Sequence, residues 1–522
     1  MKRKHTKLIC LGLALCLLTG LALGCGSSAN DTKTASAEVT AETTDQTMET
    51  TAAAAPDGTP PEGMGQPPER PDGNPPGGMG QPPERPDGTP SGGMPGGPGG
   101  MGQPPAGGPG GGPGGSSADI EYKGAVEITS ADSQSGQTYA SDTADESALL
   151  ISTGDAVTVD DPTVTKSGSS DGGDSWNFDG LNAAVLVKDG ADVTITGGTI
   201  TSDAMGANGV FCYGGNGGRN GAAGDGTTLT IRDTVITTTG GGSGGIMTTG
   251  GGVTYAYDLT VTTSGQSSAP IRTDRGGGTV YVDGGTYTSN GLGSPTIYST
   301  AEIHVSNATL TSNLSEGVCI EGKNSIELTN CDMTANNTKM NSNASFLDTI
   351  MIYQSMSGDA DSGTSAFIMT GGSLTSKSGH VFHVTNTNAI INLNDVTILN
   401  EDAQNILLSV CADGWSGASN VATLNASKQA LAGTILVGSD STLTLNLTDG
   451  SVLIGTISGS ITNAKGEVVS TEVGTVDVTL DSTSTWVLTG DTYITSFTGE
   501  AANIVSNGYT LYVNGVALTG TK

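Results

Sequence analysis

Val193-Thr-Ile-Thr-Gly-Gly-Thr-Ile-Thr201 holds the pattern from which the fold can be read. Apolar and polar residues alternate with a period of two, the signature of a strand with one buried face, and Gly197-Gly198 interrupts the alternation as a turn would. The phrase returns as Leu229-Thr-Ile-Arg-Asp-Thr-Val-Ile-Thr237, Val280-Tyr-Val-Asp-Gly-Gly-Thr-Tyr-Thr288 and Ile303-His-Val-Ser-Asn-Ala-Thr-Leu-Thr311, with further copies at Ile326, Phe367 and Ile391. Anchored on Thr163, Thr199, Val235, Thr260, Thr286, Thr309, Asp332, Ser373 and Thr397, the copies are 36, 36, 25, 26, 23, 23, 41 and 24 residues apart. The shortest spacings cluster near two dozen, and the longer ones are that period plus an inserted loop. A repeat of this size marks a solenoid.

Aligning the copies shows which positions face inward. Four residues before the anchor stand Val159, Ile195, Ile231, Ala256, Val282, Val305, Leu328, Met369 and Leu393; one residue after it stand Val164, Ile200, Ile236, Val261, Tyr287, Leu310, Met333, Leu374 and Ile398. Eleven after it come Val210, Ile246, Ile271, Ile297, Ile320, Val384 and Leu408, with Val185 in the first coil and nothing apolar in the coil of Asp332. Three inward columns per repeat, with Gly, Asn or Asp between them, predict three short strands per turn and three parallel sheets around one apolar core. Val210, Ile246, Ile271, Ile297 and Ile320 are expected to form one continuous buried stack.

This pattern resembles the right-handed parallel β-helix of the pectate-lyase-like superfamily and of bacterial adhesins, over roughly residues 145–520. The resemblance implies an all-β solenoid with coils of about 23–26 residues. It brings no catalytic motif with it, and it supplies the handedness, together with the general preference of parallel crossovers. The expected organisation is a signal peptide (1–24), a linker (25–118), a β-helix core (119–420) and C-terminal β coils with a cap (421–522).

The ends bear on location. Lys2, Arg3, Lys4 and Lys7 precede an apolar run from Leu8 to Leu23, as in a signal peptide, and Gly24-Cys25 resembles a bacterial lipoprotein processing site. Cys25 is therefore the expected lipidated residue, holding a secreted protein to the outer face of the envelope. From Gly26 to Ala118 the chain is Ser/Thr-rich and then Pro/Gly/Met-rich, with Met64–Gly73 repeated at Met79–Gly88. Such a segment lacks apolar side chains to offset its ordering entropy and reads as a disordered tether. The formal charge is −32; removing the 11 acidic and 7 basic residues of the first 118 leaves 41 acidic and 13 basic, or −28. That balance argues against nucleic acid and against contact with anionic membranes other than through the lipid. Cys212, Cys319, Cys331 and Cys411 are too scattered for a disulfide framework and read as isolated buried thiols.

The outward positions carry the functional expectations. Thr199/Thr201, Thr260/Thr262, Thr286/Thr288 and Thr309/Thr311 form threonine ladders, Thr being the polar residue best suited to an exposed strand. A Thr-x-Thr array also resembles the ice-binding face of β-helical antifreeze proteins, a remote alternative because Val235 and Asp332 break the column. On the third sheet, Tyr213, Arg272, Asp274, Tyr298, Glu321 and Lys323 are expected to form an outward aromatic and charged patch bordered by long loops at Gly168–Leu181 and Gly214–Gly226. Aromatic platforms beside hydrogen-bonding groups suit an extracellular glycan lying along the coils, or the surface of a host or neighbouring cell. An enzymatic alternative, a polysaccharide lyase or glycoside hydrolase acting on an acidic polymer, would draw on Arg272, Asp274, Arg275, Glu321 and Lys323. The adjacent pair Asp160-Asp161 precedes Pro162 and falls in a corner, and Gly379-His380 stands alone. No cofactor is implied, although Asp171, Asp174 and Asp179 offer oxygen ligands for calcium. His304, His380 and His383 lack metal-ligand spacing.

Overall fold

The computed structural model describes residues 120–522 apart from 171–174, 217–222 and 342. Cys25, the signal and the tether, together with Asp171 and Asp174, lie outside the described residues. The described chain is a right-handed parallel β-helix. Sheet A has thirteen strands from Lys123–Ile128 to Ile457–Ser458, sheet B fourteen from Asp132–Ser135 to Ser496–Thr498, and sheet C ten from Thr138–Ser141 to Thr397–Asn400. Each coil visits B, then C, then A, as in Asp192–Thr196, Thr199–Ser202 and Val210–Tyr213. Beyond sheet C, a four-stranded sheet of Ala430–Ala432, Val452–Gly455, Thr485–Leu488 and Ile504–Val505 takes over the third side. The cap adds two antiparallel pairings, Ile461–Thr462 with Val468–Ser470 and Leu511–Val513 with Val516–Ala517.

The corner between B and C explains why the sequence repeat is so regular. It contains two residues in all ten coils. Its first residue has positive φ: Asp161 (48°), Gly197 (68°), Asp233 (54°), Asp258 (50°), Asn307 (54°), Asn330 (51°) and Asp395 (56°) are examples. Gly, Asn and Asp tolerate this left-handed conformation best, so the corner dictates its own residue types. The corner amide is not wasted, because Asp161 N donates to Thr196 O and Gly197 N to Arg232 O of the following coil.

The first two inward columns pair coil to coil as their spacing predicts: Val159↔Ile195↔Ile231↔Ala256 and Val164↔Ile200↔Ile236↔Val261. The third requires a correction. Val210, Ile246, Ile271 and Ile297 are in register, but the next member is Val318, not Ile320. The C-to-A corner before it has five residues (313–317) where the preceding ones have seven (290–296, 264–270). A shortening by two preserves parity, so Ile320 is still fully buried, one inward step further along its strand. The coil of Asp332 does contribute to the column: Ile350 pairs with Val318, after a longer connection than the spacing allowed for. The next member is Phe382, with Val384 two residues on, and Leu408 follows in register. All these side chains belong to one core running the length of the solenoid. The four described cysteines are free and buried.

Candidate functional site

Long insertions distinguish the outer faces of the sheets. Among the described residues they enter at the two corners that flank sheet A, as 167–184 and 337–347 on one side and 354–363 and 411–419 on the other. Sheet A is consequently covered on its outside. Leu186, Phe211, Tyr213 and Met247 form a small second core with Leu150 and Ala183, against which Tyr122 packs. The aromatic and charged patch expected to face solvent lies under this cover. Tyr213 is only 8% exposed, Asp274 3% and Glu321 2%, and Tyr298 is half-buried.

The polar groups of the patch are engaged with one another. Arg272 Nη2 donates to Asp274 Oδ2 at 2.6 Å, and its guanidinium lies 5.6 Å from the Tyr298 ring. Tyr298 Oη and Tyr353 Oη donate to Glu321 Oε2 at 2.7 and 3.0 Å, while Ser355 and Ser357 donate to its other oxygen. In register Glu321 pairs with Tyr353 and Tyr298 pairs with Cys319, so Glu321 sits diagonally to Tyr298 and not directly above it. Trp415 packs on Tyr353 at 5.0 Å. Arg275 Nε donates to Asp359 at 3.2 Å with its guanidinium over Phe178, and Lys323, the most exposed member of the set, pairs with Asp361 at 3.0 Å. Burial pushes the Asp274 carboxyl up to about 6 against the opposing pull of Arg272, and burial with the nearby Glu321 carboxylate drives the Tyr298 and Tyr353 phenols well above their ordinary value. Every cation that a lyase reading would use as a base is thus held by a carboxylate. The network ties the 354–363 loop down onto sheet A.

Asp179 is placed beside Tyr213, its backbone carbonyl accepting from Tyr122 Oη at 3.1 Å, and burial raises its carboxyl. Among the described residues no group of three or more His, Cys, Asp or Glu side chains is arranged to hold a metal ion. His380 and His383 share the strand His380–Thr385. Both Nδ1 atoms lie 2.7 Å from Ser409 Oγ, and His383 Nε2 is 3.4 Å from Asp413 Oδ2 beneath Phe346. His383 and Ser409 are fully buried, so this Asp–His–Ser–His chain fastens the 337–347 and 411–419 segments and has no open side for a substrate.

The outer face of sheet B is different. Pairing registers one central outward column through Thr158, Thr194, Thr230, Tyr255, Tyr281, His304, Glu327, Ile368, Asn392, Asn425 and Asn446. Tyr255 and Tyr281 stack at 5.2 Å and 10°, and Tyr281 and His304 at 5.0 Å and 13°. Ring planes in contact are about 3.5–4 Å apart, so centroids at these distances mean an offset overlap, like shingles, that leaves a strip of each face bare. His304 Nδ1 lies 3.1 Å from Glu327 Oε2. Two residues further on runs a parallel column of Arg232, Tyr257, Asp283, Ser306 and Thr329, and from Tyr255 and Tyr257 to Glu327 and Thr329 the two columns line one shallow groove. Tyr281 is 41% exposed and Tyr257 36%. Arg232 lies 5.2 Å from the Tyr257 ring. Sequence reasoning passed over this groove although its signal was present: one residue before each inward −4 position, the phrases read Tyr255, Tyr281 and His304 where the three preceding coils have Thr.

Sheet C carries the threonine ladders in the expected register, Thr199↔Val235↔Thr260↔Thr286↔Thr309↔Asp332 and Thr201↔Thr237↔Thr262↔Thr288↔Thr311↔Thr334. No protein-family model matches the chain, and no curated protein and no solved structure shows significant similarity to it.

Proposed function

We propose that this protein is a cell-surface lipoprotein whose β-helix binds an extracellular glycan without cleaving it, the ligand lying on the outer face of sheet B. The observation that carries the reading is the ladder of Tyr255, Tyr281 and His304, stacked on consecutive coils and open to solvent in a molecule with few aromatics. Apolar ring faces receive the C–H face of a sugar, while the flanking Glu327 and Asp283 accept hydrogen bonds from its hydroxyls. The Cys25 lipid and the Pro/Gly-rich linker then serve to hold and extend this face beyond the membrane. The likeness to pectate-lyase-like proteins is one of architecture, and the sheet B groove contains no buried acid–base pair.

The test is affinity electrophoresis of the intact protein through gels containing neutral and uronic-acid polysaccharides. Retardation by at least one glycan, lost in Tyr281→Ala with an unchanged melting temperature, is the expected result. Equal retardation of the variant overturns the assignment to sheet B, and release of unsaturated or reducing-end products overturns the non-catalytic reading.

A further inference from the structure

The aromatic groove does not end at Glu327. Glu327 pairs with Ile368 and Thr329 with Thr370, and from there the same two columns line a second groove that runs to Asn446 and Thr448. Both grooves therefore belong to one track on consecutive coils. The second half has a different chemistry, since Asn446 Nδ2 donates to Asn425 Oδ1 and Asn425 Nδ2 to Asn392 Oδ1, each at 2.8 Å. A side-chain amide has two N–H donors and two acceptor lone pairs. The ladder consumes one donor and one acceptor of Asn425, and the remaining pair is left for a ligand. All three residues are half-buried, which fixes their orientation without closing them off.

Resting on the glycan-binding reading above, we infer that the two grooves form a single binding track for one extended, electrically neutral polysaccharide chain, parallel to the helix axis, with one sugar per coil. Spacing supports this. Seven coil steps separate Tyr255 from Asn446, or roughly 34 Å at about 4.8 Å per step, and a sugar unit of an extended polymer is about as long as one step. Charge selects the ligand. Asp283 and Glu327 are carboxylates in the track, Arg232 at its start lies against the Tyr257 ring, and the ladder is made of uncharged amides. A polyuronate or sulfated chain would lie against carboxylates with no cation through the asparagine half. Neutral hydroxyls, in contrast, match both the carboxylate acceptors and the amide donor–acceptor pairs. The stacked rings give affinity at one end, and the ladder extends it in register.

The experiment is isothermal titration of the intact protein with oligosaccharide ladders of two to eight units: β-1,4-linked glucose, mannose and xylose, β-1,3-linked glucose, and galacturonate. At least one neutral ladder is expected to gain affinity beyond four units up to about eight. Replacing Asn425 and Asn446 together by Ala should weaken the octamer about tenfold, as two lost hydrogen-bonding amides imply, and leave the trimer within about twofold. Tyr281→Ala should weaken both. A plateau at four units, an unaltered octamer in the Asn variant, or tightest binding by the galacturonate ladder each overturns the inference. Failure of the Tyr281→Ala gel test instead overturns the sheet B reading itself, so the two failures are distinguishable.

Discussion

Sheets A and B share parallel pairing and inward–outward alternation on the same coils, yet their outer faces have opposite fates. Both carry tyrosines, acids and arginines at outward positions. On sheet A the insertions at both flanking corners fold over these groups, and Glu321 ends with four hydroxyl donors around it. On sheet B one flanking corner is held at two residues through ten coils, and Tyr281 and Glu327 stay open to water. The same side-chain chemistry thus serves stability on one face and is left available for recognition on the other. Loop placement, more than residue type, separates the roles.

Removing one glutamate from each face should separate the two roles most strongly. Glu321→Ala leaves the Tyr298 and Tyr353 hydroxyls without their acceptor in a buried site and should cost about 2–4 kcal/mol. Glu327→Ala removes a half-exposed side chain and should fall within about 0.5 kcal/mol. Chemical denaturation of both variants beside the parent checks this; equal midpoints would mean that the cover over sheet A contributes nothing. A smaller contrast follows from single hydroxyls. Tyr298→Phe deletes the 2.7 Å bond to Glu321 and should cost about 1 kcal/mol, whereas Tyr281→Phe should leave stability unchanged. A Tyr298→Phe protein as stable as the parent would return that patch to the status of a solvated surface.

The physics of the corners also accounts for what was legible in the sequence. Columns that share the two-residue B-to-C corner were read correctly over nine coils, because positive-φ Asp, Asn and Gly residues hold that connection at constant length. The third column crosses the C-to-A corner, whose length varies, and the reading slipped by two residues at Val318 and lost Ile350 altogether. Parity survived the first slip, which is why Ile320 was still expected inside. Burial of the outer face was not legible, since alternation reports which side of a strand a residue faces and says nothing about what a loop elsewhere lays over it. Arg272 and Tyr298 were therefore read as surface residues, and the barer Tyr255–Tyr281–His304 column went unremarked because each of its members is an ordinary exposed strand residue until three are stacked.

The subtlest distinction between the faces is in their response to pH, because two buried groups on sheet A titrate with opposite sign. Burial holds His380 down to about 3 from an ordinary 6.5, with His383 adding to the effect. Between those values the unfolded chain binds the proton and the folded one does not, so stability falls as pH drops from 6.5 toward 3. Burial holds Asp274 up to about 6 from 3.8. Here the folded state binds the proton first, and stability rises as pH drops from 6 toward 3.8. Each proton contributes at most about 1.4 kcal/mol per pH unit, so between pH 6 and 4 the two largely cancel in the parent. Separating them requires variants. Relative to the parent, His380→Phe should gain stability steadily on acidification through that window, and Asp274→Asn should lose it. Reading both as differences removes the contributions of Asp348, Glu316 and Asp413, which remain in all three proteins. Denaturant midpoints at pH 6, 5 and 4 provide the measurement. Parallel curves for all the variants would mean that water reaches His380 and Asp274 freely and that sheet A is as open as sheet B.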